Sequence, residues 1–152
     1  MPVEIVEFED RHATAFKALN EAWIAKHFTV EAKDSEVLDD PQGKIIGKGG
    51  RIFMAMADDR AVGCVALIPM TDGGFEVAKM TVAETARGLG LGARLMQRCI
   101  ETGKAAGAPR LYLETNSSLA PARALYLAAG FVDLPPEPSE YARCDTWMEL
   151  RL

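Results

Sequence analysis

The chain has 152 residues, of which 49% are hydrophobic and 26% charged, with a formal net charge of −5. This length suits one domain, residues 1–152, around one core, and the acidic balance argues against nucleic acid or an anionic membrane surface as a partner. No apolar run approaches membrane-spanning length, and the opening residues lack a basic stretch followed by an apolar one, so the expectation is a cytoplasmic protein without a secretory signal.

Residues 3–8 alternate apolar and acidic side chains and read as a short strand. Asp10 stands where a cap would start a helix running to about Phe28, with Phe16, Leu19, Ala22 and Trp23 on one face. Residues 33–50 are polar and glycine-rich, and read as a loop with at most one helical turn, available to a substrate pocket. Residues 52–57 and 62–68 are apolar strand candidates joined as a hairpin at Asp58-Asp59-Arg60. Thr71-Asp72-Gly73-Gly74 turns the chain into a third strand, 75–82. In the helix expected over 93–106, Leu95, Met96, Cys99 and Ile100 form the apolar stripe. Residues 110–115 alternate again as a strand. Pro121 suits a first helical position, 122–129 the helix and Gly130 its stop. A short strand at 131–134, a stiff proline loop at 134–143 and a closing strand at 146–152 complete the order. The fold expected is α+β, a central mixed and largely antiparallel sheet flanked by helices.

Cys64, Cys99 and Cys144 are widely spaced and read as reduced thiols, mostly buried. His12 and His27 have no second ligand at a useful spacing, so no metal site is expected.

The run Arg87-Gly88-Leu89-Gly90-Leu91-Gly92 sits between the third strand and the helix after it. Three glycines would weaken a helix interior by roughly 1 kcal/mol each. At a helix start they instead let another molecule approach backbone N–H groups that have no intrahelical partner, and those donors with the helix dipole suit a phosphate or pyrophosphate. Gly88 to Ala93 also matches the dinucleotide fingerprint, with Glu114 about 20 residues later. Against that reading, Ala83 to Arg87 separate strand from glycines, a meander precedes them, and only 38 residues follow Glu114.

A second pattern fits better. Arg87 to Gly92 resembles the Q/R-x-x-G-x-G/A motif of the GNAT-type N-acetyltransferase superfamily, and Lys79-Met80-Thr81-Val82 resembles the strand before it. Ala124-Leu125-Tyr126 with Gly130-Phe131 resembles the superfamily's Leu-Tyr-x-x-x-Gly-Phe signature, so the resemblance covers roughly residues 52–131. It implies an acyl-CoA N-acyltransferase-like fold and acetyl-CoA as cosubstrate. The pyrophosphate would lie on amides between Arg87 and Gly92 (Arg87, Gly88, Leu89, Gly90, Leu91, Gly92) and on Ala93. The pantetheine arm would run beside Met80, Thr81 and Val82 like an added strand. Tyr126 would protonate the departing thiolate. Glu76, eleven residues before Arg87, matches the catalytic glutamate of the histone-acetyltransferase branch, with Glu114 or ordered water as alternatives. Strand parity would put Glu76 on one face with Ala78, Met80 and Val82. Where the superfamily often has a cofactor-contacting asparagine, this chain has Leu119, and Asn116, Ser117 or Ser118 would take over that contact.

The implied activity is acetyl transfer to a primary amine of a small molecule or peptide by direct attack, without an acyl-enzyme. A non-catalytic acyl-CoA-binding or sensing module, and an acyltransferase using longer acyl groups or an alcohol acceptor, are the other readings. The acceptor would be shaped by residues 23–28, 33–50 and 135–143, with Tyr141 and Arg143 as candidates. A homodimer through the strand at 146–152 is a further expectation.

Overall fold

The computed structural model describes residues 2–152. Seven strands form one sheet in the order β1-β2-β3-β4-β5-β7-β6. They are β1 (Glu4–Glu7), β2 (Arg51–Ala57), β3 (Arg60–Pro69), β4 (Phe75–Val82), β5 (Arg110–Thr115), β6 (Val132–Leu134) and β7 (Thr146–Arg151). Every neighbouring pair is antiparallel except β4–β5. The helices are α1 (Ala13–His27), α2 (Ala32–Asp39), α3 (Pro41–Lys44), α4 (Leu91–Ala105) and α5 (Ala120–Ala129).

Both faces of the sheet centre are covered, which explains why β2 and β3 are apolar almost throughout rather than alternating. Ile52, Met54, Cys64 and Ala66 meet Phe16, Ile24, Val37, Leu38 and Ile45 on the α1–α2 face. Phe53, Val65 and Leu67 meet Leu95, Met96, Cys99, Leu111 and Phe131 on the α4 face. Phe16, Phe53 and Phe131 are fully enclosed, and burial of each contributes about 1.5–3 kcal/mol. Asp58 takes a positive φ of 53° in the two-residue turn between β2 and β3, the left-handed geometry that lets a tight hairpin follow the strand twist. Among the described residues, no helix is long and apolar enough to cross a membrane.

Four expectations need correction. First, 33–50 is helical rather than a loop, with α2, α3 and a 3-10 turn at Ile46–Lys48. Its few apolar residues give little periodic signal, but Val37, Leu38 and Ile45 are all buried. Local side chains start the helices: the Glu31 N–H donates to Asp34 Oδ2 at 2.9 Å, and Asp40 accepts from the Gly43 N–H with Pro41 in the first turn. Second, Asp10 does not cap α1. A 3-10 turn, Asp10–His12, leads into the helix, and its cap is Glu9, whose N–H donates to His12 Nδ1 at 2.9 Å. Third, α4 begins at Leu91 and so takes in part of the glycine run. Fourth, β7 is paired on both sides over Trp147–Glu149, to β5 and β6, so the middle of the strand is not a free edge for a homodimer.

Gly50 joins the 3-10 turn to β2 where the α2–α3 segment folds back onto the sheet. A methyl there would lie 2.6 Å from the Leu67 carbonyl oxygen and 2.8 Å from that of Ile45. Gly50→Ala is therefore expected to cost about 1–3 kcal/mol of stability, read as a lower urea midpoint at unchanged slope.

Candidate active site

β4 and β5 share only the pairs Phe75↔Leu111 and Glu76↔Tyr112. Beyond them the strands part, and residues 77–82 have no partner on the β5 side while β3 continues to bond their other edge. A cavity of about 950 Å³ occupies this region and extends to α1, α2, α5 and the chain between β6 and β7. Unpaired backbone donors and acceptors facing a cavity are a ready template for an extended ligand with amides of its own.

β4 also changes face within this stretch. Cys64 pairs with Thr81 and Ala66 with Ala78, so Lys79 and Met80 together oppose Val65 in a β-bulge. Lys79 has a φ of 55°, an uncommon value for a residue with a Cβ. The parity expectation fails here. Glu76 and Ala78 pair with Ile68 and Ala66 and share the α1–α2 face, whereas Met80 and Val82 pack with the α4 cluster. The cysteine below the bulge is part of it: Cys64 Sγ donates to the Lys79 carbonyl at 3.4 Å.

The glycine run forms the mouth of the cavity. Gly88 and Gly90 have φ of 82° and 71°, and a Cβ at either would meet nothing within 4 Å. Their role is conformational, and their outer face is open to an approaching group. Gly92 serves packing instead, since its Cβ would lie 3.4 Å from Leu125 of α5. The Arg94 N–H donates to the Gly90 carbonyl at 3.2 Å, so the amides of Leu91, Gly92 and Ala93 precede the first helical bond. No acidic residue occupies the first turn of α4, and Arg87 is exposed beside it. The loop therefore fits an anionic group, by dipole and by donors.

Two proton-transfer candidates line the cavity from opposite faces of the sheet. Tyr126, on α5, packs against the α4 cluster, with its ring 6.0 Å from that of Phe131. Burial pushes its phenol up to about 12, which keeps it protonated and able to donate. Glu76 lies on the other face, and neither its carboxylate nor the Tyr126 hydroxyl is engaged in a hydrogen bond among the described residues. Burial first, and then the Glu114 and Glu140 charges, raise Glu76 to about 7, with Lys79 acting in the opposite direction. Glu114, the other candidate base, already accepts from Tyr112 Oη at 3.0 Å and from Ser139 Oγ. Asn116 borders the cavity, but its amide is engaged at both ends, donating to the Arg143 carbonyl at 2.7 Å and accepting from the Ser118 N–H at 2.8 Å. Ser117 binds Asp145 through both its N–H and its hydroxyl.

A buried ion cluster closes the side of the cavity beyond Glu76. Asp34 is fully buried and accepts from Lys79 Nζ at 2.9 Å and from Arg143 at 2.7 and 2.8 Å. Burial opposes its charge, yet the Arg143 and Lys79 hydrogen bonds, with the Glu31 N–H, hold its pKa well below the usual carboxylate range. Tyr141 lies under both cations, 4.7 Å from Lys79 Nζ and 4.5 Å from Arg143 Cζ. Tyr141 and Arg143 thus both line the cavity. Asp34 carries no sequence signal of its own, while Lys79 shows one, a charge between the apolar Ala78 and Met80 within a strand.

The raised Glu76 pKa has a consequence for stability. Between its ordinary 4.5 and about 7 the unfolded chain is ionised where the folded one keeps the proton, so the folded state loses stability as pH rises through that window. Glu76→Gln is expected to raise the urea midpoint at pH 8 and to leave it near the native value at pH 4. An equal gap at both pH values would contradict the burial of Glu76.

Comparison with known proteins converges on one family. The family model described as "Acetyltransferase (GNAT) family" matches residues 12–131. A curated relative from Azospirillum brasilense, "IAA acetyltransferase", is 41% identical over 87 residues. That match covers 57% of this chain, and the chain spans 57% of that relative's length. Among solved structures, a GNAT-family acetyltransferase from Staphylococcus aureus Mu50 superposes with a TM-score of 0.89 at 19% identity, covering 99% of both chains. The PaiA N-acetyltransferase of Thermoplasma acidophilum, solved in complex with coenzyme A, superposes with a TM-score of 0.81 at 16% identity over 100% of both. At these identities the structural likenesses establish the fold, and the family match reaches from His12, just before α1, to Phe131, two residues past α5. The chain belongs to the acetyltransferase (GNAT) family.

Proposed function

We propose that the protein is an N-acetyltransferase that moves an acetyl group from acetyl-CoA to a primary amine of a small molecule or peptide by direct attack. The observation that carries this reading is the gap between β4 and β5, with the glycine loop at one end and Glu76 and Tyr126 on its two sides. The coenzyme A held by the Thermoplasma neighbour supports the choice of cosubstrate. In this reading the amides of residues 88–93 hold the pyrophosphate, with Arg87 at the rim. The free backbone edge of Met80, Thr81 and Val82 takes the pantetheine amides, and Asn116 shapes the adjoining loop. Acetyl-CoA supplies an already activated acyl group, so the reading requires no metal.

The chain's own residues then have proton work to do. An ammonium acceptor must lose a proton before it can attack, and a carboxylate titrating near 7 is matched to that task at neutral pH. Glu76 takes this proton, directly or through water. Attack forms the new N–C bond, the nitrogen releases its second proton to water, and the C–S bond breaks, leaving a thiolate. Tyr126 donates its phenolic proton there and recovers one from solvent.

Calorimetry on native protein with acetyl-CoA and with CoA is the first test. Gly90→Glu places a carboxylate where the pyrophosphate should sit, and is expected to weaken binding of both at least about tenfold, with the fold retained by circular dichroism. Absence of binding to well-folded native protein would defeat the reading. Given binding, an amine-library acetylation screen supplies the acceptor. The rate is then expected to rise with pH through about 7, and Glu76→Gln to remove that limb with a loss of about 10²–10⁴ in kcat. Tyr126→Phe is expected to lower kcat with little effect on CoA affinity. Tight CoA binding with no transfer to any amine would favour a non-catalytic acyl-CoA-binding module instead.

A further inference from the structure

Alternation along β4 directs Glu76 and Ala78 to the α1–α2 face and Val77 to the α4 face. A regular strand would send Lys79 after Val77, into the apolar cluster under α4. The bulge prevents this: at a φ of 55° the backbone rolls, and the Lys79 side chain emerges on the Glu76 face. A positive φ at a residue with a Cβ is strained and persists only where the surroundings over-determine it. Here they do. Lys79 Nζ donates to Asp34 Oδ1 at 2.9 Å and to Tyr141 Oη at 3.2 Å, and only 6% of its side chain is exposed. A lysine so enclosed must be paired, and it is paired to a carboxylate that two cations hold ionised.

We propose that Lys79 is a positioning residue of the active site, its ammonium fixed between Asp34 and Tyr141 by the β4 bulge so that Glu76 shares its face of the cavity with a buried positive charge. The consequence for acetyl transfer rests on Glu76 being the base. The electrostatic link does not.

The charges around Glu76 show why this cation matters. From β5 come Glu114 and Tyr112, and from the chain between β6 and β7 come Glu137, Glu140 and Tyr141. Arg143 comes from that chain too, but it is committed to Asp34 and Glu31. From α2 comes Lys33, paired with Glu140 at 3.2 Å and a third exposed, and α1 contributes His27 to the cavity wall. Carboxylates thus outnumber free cations near Glu76. Burial with Glu114 and Glu140 lifts its pKa, and Lys79 is the largest influence pulling it down. Without Lys79, Glu76 would hold its proton further above neutrality and serve less well as a base.

The test needs neither acceptor nor cofactor. Protein labelled with ¹³C at glutamate is titrated by NMR, with Glu76 assigned from the signal missing in Glu76→Gln. Lys79→Met is expected to raise the Glu76 midpoint by about half a unit or more, and Lys79→Arg to restore it toward the native value. Should Lys79→Met fail to fold by circular dichroism, Lys79→Gln, which keeps a polar donor on that side chain without the charge, is expected to give the same upward shift. An unchanged Glu76 midpoint in a folded, charge-free variant overturns the proposal. So does an equal shift in Lys79→Arg, since that would assign the effect to lost packing. If Glu76 proves not to be the base, its midpoint still responds to Lys79, so the two readings fail separately.

Discussion

Two hydrogen-bonded residue pairs join β4 to β5, and then the strands part. This parting is the constraint on which the rest of the site depends. A sheet interior normally satisfies every backbone group it buries, and leaving one edge of a central strand open is costly unless water or a ligand fills it. The opening is tolerated because both flanks are anchored: β4 is bonded to β3 along nearly its whole length, and β5 is bonded to β7 in full register. The cleft is thus a fixed part of a stiff sheet. Binding there need not meet a large ordering cost.

The cleft also joins the two faces of the sheet. Glu76 belongs to the layer built with α1 and α2, and Tyr126 to the layer built with α4 and α5. In an unbroken sheet, side chains on opposite faces cannot reach a common atom. Where the sheet opens they can approach the same group from either side. The bulge at Lys79 belongs to the same construction, since it reassigns faces partway along the strand that borders the opening.

What the sequence makes legible follows from how local each signal is. The bounds of β4 and β5 emerge directly because Gly73-Gly74 and the alternation of Leu111 and Leu113 are local features, and the chain obeys them. The glycine loop is legible for the same reason. The α2–α3 segment is not, because its helices are initiated by Glu31, Asp34 and Asp40 side chains and stabilised by only a few buried residues. The change of face in β4 is hidden because a lysine, not a glycine, occupies the left-handed position. The ion cluster is hidden because Asp34, Lys79 and Arg143 lie far apart in the chain and meet only in the folded protein. The place of β7 between β5 and β6 is likewise a matter of topology, which alternation within the strand cannot reveal.

The contact between Gly92 and Leu125 links two parts of the site otherwise separate in the chain. Gly92 lies in the first turn of α4, where backbone amides have no helical partner, and Leu125 is the residue before Tyr126. Because α5 rests against α4 at Gly92, the position of the tyrosine hydroxyl is gauged from the same backbone that carries the open amides of the glycine loop. A side chain larger than alanine at 92 would act as a shim, tilting α5 and moving the hydroxyl while leaving Tyr126 itself unaltered. In the proposed reading the glycine run would be a ruler as well as a cradle, setting the distance between the anchored end of the ligand and its reacting end.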